Sequence, residues 1–283
     1  MKAITLGVAL TFFAHVAFAQ ESATEAPVTP DDRLNAVLWQ LTSAEYEGAT
    51  RTAFAMARVA LDKALKDKKH TAAIEQTGKF AKLPPAIIFD IDETVLDNGP
   101  NQVRMMLDTK TRPAELMARW HERGVAKPVP GAVEFIEYAQ SKGVTLFFIT
   151  NRNAEKEDGT RKNLEAIGVK LPATVDTVMM EHEKPEWKFD KGLRRATVAK
   201  DYRVVLVVGD DYGDFTSVWN KPTDERRKDA ETEAARWGRD WILIPNPIYG
   251  SWENAAIKFN FRAPPDERRK IKHDTLKAFD AAE

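Results

Sequence analysis

Residues 86–98 read AIIFDIDETVLDN, and this stretch limits the possible folds more than any other. Ala86, Ile87, Ile88 and Phe89 form a short apolar run suited to a strand buried on both faces, and it stops abruptly at two carboxylates, Asp90 and Asp92. A strand that ends this way carries its acids at the carboxyl edge of the sheet. Open α/β sheets bind ligands at that edge, in the crevice where neighbouring crossovers diverge. With Thr94 the pattern is Asp-x-Asp-x-Thr. It suits Asp90 as a nucleophile and Asp92 as a proton donor and acceptor, with a divalent metal between them.

The rest of the chain supplies the other parts of a parallel sheet. Leu83-Pro84-Pro85 ends a helical region and sets the chain extended into the first strand. Val144 to Thr150, a weaker run near Val175 to Met179, Arg203 to Gly209 and Trp241 to Ile244 read as further strands. Helical patterns separate them, at Ala132 to Ser141, Thr160 to Ile167 and Leu193 to Lys200. Alternating strands and helices imply right-handed crossovers and an α/β fold with a parallel sheet. Ahead of the first strand, Asp31 and Asp32 can cap a helix carrying Leu34, Val37, Leu38 and Leu41. A second helix is expected from about Thr50 to Lys68, with a break at Gly48. Trp39 and Phe54 fit a packed helical hairpin on the sheet. Gln102 to Arg123 reads as mostly helical and follows directly after the acidic strand, so it would overhang the strand's carboxyl end as a small cap.

Composition removes several classes of function. Lys2, the apolar run Ile4 to Phe18 and the small-x-small signal Ala17-Phe18-Ala19 read as a secretory signal peptide over residues 1–19. The run is short of the ~20 residues that span a bilayer. A soluble, periplasmic protein without a membrane anchor is expected. Loss of Lys2 leaves 41 basic against 43 acidic residues, a balance that argues against nucleic-acid polymers as partners. With no cysteine, disulfides, thiolate catalysis and an N-terminal lipid anchor on cysteine are impossible. Residues 20–30 read as a flexible leader. The remainder, 31–283, reads as a single domain: N-terminal helices over 31–82, a catalytic core of 83–97 and 129–261, the cap insertion at 98–128 and a polar tail over 262–283. The charged stretch Thr223 to Glu233 mixes acids with bases and reads as a solvated helix or loop.

Three more short motifs lie at or near strand ends. They are Thr150-Asn151-Arg152, an isolated Lys191 before a helix, and Gly209-Asp210-Asp211-Tyr212-Gly213-Asp214. Taken in order with Asp-x-Asp-x-Thr, they resemble the four motifs of the haloacid dehalogenase superfamily of phosphohydrolases. Within it, the chain is similar to the class C bacterial acid phosphatases, the group that contains lipoprotein acid phosphatases and 5′-nucleotidases. The similarity extends to Trp120, to Pro130 through Phe135 and to Pro245 through Glu253.

The resemblance implies a Rossmann-like sheet of order 3-2-1-4-5 and an acid phosphatase that cleaves small phosphate monoesters, nucleotides among them, through an aspartyl-phosphate on Asp90. It implies Mg²⁺ held by Asp90, the main-chain carbonyl of Asp92 and Asp210, with Asp214 as a ligand or orienting group. Thr150 would hold phosphoryl oxygens and Lys191 would stabilise the transition state. Asn151, Arg152, Trp120 and Tyr249 become candidates for substrate contact, although Arg152 could equally pair with an acidic neighbour. Two departures stand out: Asp211 where relatives commonly carry Asn, and Gly99 to Val103 where relatives carry an aromatic-containing segment. Glu93 and Asp97 read as structural or surface carboxylates, and His70, His121 and His182 as surface or structural residues. A phosphotransferase, or a binding or storage protein on the same scaffold, remains as the alternative.

Overall fold

A computed structural model describes residues 31–280. The expected signal peptide and leader lie outside the described residues, as does the end of the tail at 281–283. In chain order the elements are helices α1 (Leu34–Thr42) and α2 (Ala44–Lys66), strands β1 (Pro85–Phe89) and β2 (Leu96–Asp97), helices α3 (Gly99–Leu107) and α4 (Pro113–Arg123), strand β3 (Lys127–Pro128), helix α5 (Ala132–Ser141), strand β4 (Thr145–Asn153) and helix α6 (Glu157–Ala166). Strand β5 (Val178–Glu181), helix α7 (Gly192–Asp201), strand β6 (Arg203–Gly209), helix α8 (Thr223–Thr232), strand β7 (Trp241–Leu243) and helices α9 (Ser251–Ala256) and α10 (Pro265–Lys277) complete the chain.

The main sheet has the order β5-β4-β1-β6-β7, and every pairing in it is parallel. Numbered by sequence within that sheet, the order is 3-2-1-4-5, as the resemblance implied. β1 lies at the centre, with Ile88 opposite Phe147 on one side and Val207 on the other. Its side chains alternate between two apolar layers. Ile87 and Phe89 join Phe54 and Leu61 of α2 and Phe135 and Ile136 of α5, whereas Ala86 and Ile88 join Val198 of α7, Phe215 and Trp241. Residues buried on both faces explain why this strand reads as a continuous apolar run. Each large side chain so buried contributes roughly 1.5–3 kcal/mol.

The helical boundaries differ from expectation in ways local chemistry explains. The break in the N-terminal helices falls at Ser43, whose hydroxyl accepts the Tyr46 N–H and starts α2. Gly48 lies inside α2 in open space and causes no break there. At the start of α1, Asp31 accepts the Arg33 N–H and pairs with the Arg33 guanidinium. The cap region is two helices rather than one. Asp108 accepts the N–H groups of Lys110 and Thr111, and Pro113 opens α4. The weak strand is shifted to Val178–Glu181, where Val178 pairs with Phe148. The tail forms α10, tied by Lys272 to Glu253 at 2.6 Å and by Arg269 and Lys272 to Asp32. Among the described residues, no helix is long and apolar enough to cross a membrane.

Candidate active site

The carboxyl ends of β1, β4 and β6 bring the sequence motifs to one cavity of about 360 Å³. β1 delivers Asp90, whose N–H donates to the Val208 carbonyl at 2.9 Å and so continues the ladder to the site's edge. β6 delivers Asp210. A tight turn follows in which Asp214 folds back, its Oδ2 accepting the N–H groups of Asp210 (3.1 Å) and Asp211 (2.9 Å). That fold-back needs glycine at 209, because a Cβ there would collide with the Asp214 carboxylate. Lys191, at the start of α7, is buried with its ammonium donating to Asp90 and, at 2.6 Å, to Asp214 Oδ1.

Asp90, Asp210 and Asp214 each offer an oxygen within 4.8 Å of the others. Burial pushes the carboxyls of Asp90 and Asp210 up, well above for Asp210, where Asp90 and Asp214 add repulsion. Burial likewise brings Asp214 up to about 7 against the pull of Lys191. One ammonium thus meets two buried acids, with the half-buried Asp210 beside them. The all-oxygen donor set and its excess negative charge fit a hard divalent cation. Asp210 is also oriented from outside the cluster, its oxygens accepting from Thr94 Oγ1 at 3.0 Å and Asn246 Nδ2 at 2.8 Å.

Asp92 stands in a different environment. Arg152 donates to it from Nε at 3.1 Å and from a terminal nitrogen at 2.8 Å, and Asn98 Nδ2 donates at 2.7 Å. Burial alone would raise the Asp92 carboxyl. The Arg152 guanidinium, the nearby His121 ring and Asn98 overcome that and hold it well below the usual carboxylate range. Thr150 Oγ1 is 3.5 Å from Asp92 and accepts the Arg152 N–H. Arg152 spends its remaining terminal donor on Thr160, so it borders the cavity as the partner of Asp92.

The other substrate candidates divide. Asn151 and Tyr249 line the cavity, Tyr249 with its hydroxyl donating to Glu93. Trp120 is not among the cavity's lining residues. It packs against the core, and its indole N–H donates to Asn98 Oδ1 at 2.7 Å, so it reaches Asp92 only through Asn98. The reason is helical phase. On α4 it is Met117 and His121, four residues apart, that face the cavity. His121 was expected to be structural or on the surface. Instead its ring borders the site, with Nε2 3.8 Å from Asp92. Phe189 and Trp219, with ring centroids 4.7 Å apart, form another wall that no motif announced. Asp211 lines the cavity without joining the acid cluster, accepting from Gly213 N, Ser251 N and Ser251 Oγ. Its charge anchors the first residue of α9.

The sequence matches the profile of the HAD superfamily, subfamily IIIB (Acid phosphatase), over residues 13–252. The chain belongs to this family. It is also similar to the crystal structure of the class C acid phosphatase from Bacillus anthracis with tungstate bound, with 34% identity and a TM-score of 0.77, over 88% of this chain and 98% of that one. A second structure of the Bacillus anthracis enzyme matches with 34% identity and a TM-score of 0.76 over the same shares. This subfamily IIIB chain is therefore a phosphomonoesterase, and its substrates are small phosphate esters.

Proposed function

We propose that this acid phosphatase is Mg²⁺-dependent and works through an aspartyl-phosphate on Asp90. The observation that carries the reading is the contact of one buried ammonium, Lys191, with both Asp90 and Asp214, beside Asp210. A phosphate ester and a carboxylate repel each other. A fixed cation at the attacking oxygen lowers that barrier, and electrostatic stabilisation of this kind dominates phosphoryl transfer. Mg²⁺ held by Asp90, Asp210 and the Asp92 carbonyl, with Asp214 at its margin, would supply further charge neutralisation at the phosphoryl oxygens.

Asp90 attacks phosphorus, the P–O bond to the alcohol breaks, and the alkoxide takes a proton from Asp92. Water then attacks the aspartyl-phosphate, giving its proton to Asp92 and restoring Asp90. The ionised state of Asp92 in the resting site suits the second half of this cycle. In the first half, Asp92 must carry a proton when the ester breaks, so protonation of Asp92 against the pull of Arg152 precedes cleavage. Thr150 and neighbouring main-chain N–H groups hold the phosphoryl oxygens. Asn151, Tyr249, Met117 and His121 line the cavity around the ester.

Nucleotides are one substrate class in this reading, and rates across nucleotides, sugar phosphates and aryl phosphates would rank them. The signal-like residues 1–19 support export to the periplasm. The test of the nucleophile is Asp90→Asn. It should keep the fold while abolishing release of phosphate from p-nitrophenyl phosphate with Mg²⁺ present, and undiminished turnover would rule Asp90 out.

A further inference from the structure

The first turn of α7 fastens two of the site's other loops. Lys191 is its N-cap, and Arg194 and Arg195 lie within that turn, both fully buried. Cations are disfavoured at a helix N-terminus, where the macrodipole is positive, and this turn has no acid to offset them. Arg195 has a local explanation. It pairs with Glu75 at 2.6 Å and donates to the carbonyls of Gly213 and Asp214, bracing the metal-side turn.

Arg194 has no such counter-ion. Among the described residues no carboxylate lies within ion-pair distance of it. One terminal nitrogen donates to the Thr150 carbonyl at 2.6 Å. The other donates to Asn151 Oδ1 at 2.6 Å and to the Lys188 carbonyl at 2.8 Å, and Nε is buried with no partner. Asn151 in turn donates to the Phe189 carbonyl at 2.9 Å. The guanidinium thus joins the strand end that carries Thr150 to the segment that runs into Lys191. Glu181 and Asp90 act on Arg194 only from beyond ion-pair distance, so no contacting acid neutralises its charge, which lies behind the strand end whose Asn151 lines the cavity.

We propose that Arg194 is a positioning residue for the phosphoryl group: its guanidinium fixes Thr150 and Asn151 relative to Lys191, and its unpaired charge strengthens binding of the phosphate dianion. This rests on reading the cavity as a phosphoryl site. The planar fork matters as well as the charge, because lysine cannot reach three acceptors in one plane. Arg203 provides a matched comparison. It is equally buried and donates only to the carbonyls of Ala64, Asp67 and His70, far from the cavity.

The test measures binding of inorganic phosphate by calorimetry to Mg²⁺-loaded wild-type protein, Arg194→Lys, Arg194→Met and Arg203→Lys, alongside KM and kcat. Both Arg194 variants should bind phosphate at least about tenfold more weakly, the scale of losing charge-assisted hydrogen bonds, with a raised KM. Arg203→Lys should melt at a lower temperature yet bind phosphate within about twofold of wild type, as a purely structural loss does. If Arg194→Met fails to fold, Arg194→Lys and a cycle with Asn151→Ala decide, and coupling between the two sites is expected. Phosphate affinity unchanged in Arg194→Lys, whatever its melting temperature, would overturn the proposal. Wild-type protein that binds phosphate but turns over no ester would overturn the aspartyl-phosphate reading and leave the Arg194 comparison standing. Wild-type protein that binds no phosphate would overturn both.

Discussion

Replacing Lys191 with methionine tests the electrostatic account of the site more directly than any other change. The side chain keeps its bulk but loses the ammonium shared by Asp90 and Asp214, and Asp210 remains beside them. Breaking a buried ion pair from one side costs about 3–5 kcal/mol because the stranded charge stays buried. For a domain of this size, 1 kcal/mol corresponds to a shift of roughly 2–4 °C in Tm, so Lys191→Met should melt about 6–20 °C below wild type in EDTA. Added Mg²⁺ should restore more of the Tm in the variant than it adds to wild type, because the variant's acid cluster is more negative. Turnover should still fall by about 10²–10³, the cost of losing one preorganised transition-state donor. Calorimetric scans with and without Mg²⁺, paired with p-nitrophenyl phosphate assays, read both effects. A variant that melts within 2 °C (roughly the cost of a surface substitution) of wild type in EDTA would refute the claim that Lys191 neutralises this cluster.

Two further outcomes follow from the geometry. Gly209→Ala puts a methyl group into the Asp214 carboxylate, so it should cost about 1–3 kcal/mol by overpacking and weaken Mg²⁺ binding, measured by titration calorimetry. Unchanged metal affinity would show that the fold-back of Asp214 is dispensable. Burial holds the His121 ring neutral down to about 4, against the opposing pull of Asp92, compared with 6.5 for an ordinary histidine. The unfolded chain therefore gains a proton first. His121 contributes stability above pH 6.5 that is lost as pH falls towards 4, by up to about 3 kcal/mol. His121→Gln should flatten the urea-melt stability profile across that window relative to wild type, and parallel profiles would contradict it.

What the sequence made legible was what local signals encode. The apolar run that ends at Asp90 and the run that ends at Gly209 each fix a strand and the direction in which its acids emerge. Order along the chain, with right-handed crossovers, then leaves few sheet topologies, and the observed one was among them. Side-chain direction between remote segments was not legible. Arg152 chooses Asp92 across 60 positions, and Asp211 chooses Ser251 across 40. Each is a contest between near-equal partners that only the assembled loops decide. The cap shows the same limit within one helix. Trp120 and His121 are adjacent, yet one is drawn into the core by Asn98 and the other meets the cavity, and nothing in their spacing says which.

The centrality of β1 has a bearing on how the molecule comes into being. Its two neighbours are separated by a long stretch of chain: Ala86 pairs with Thr145 on one flank and with Val204 on the other. Until the second flank arrives, β1 has an open edge, and two of the cluster's three acids do not yet exist. Shortened products ending before residue 203 would therefore be inert rather than partly active. Enzymatic competence therefore arrives only once β6 and the turn after it have been made.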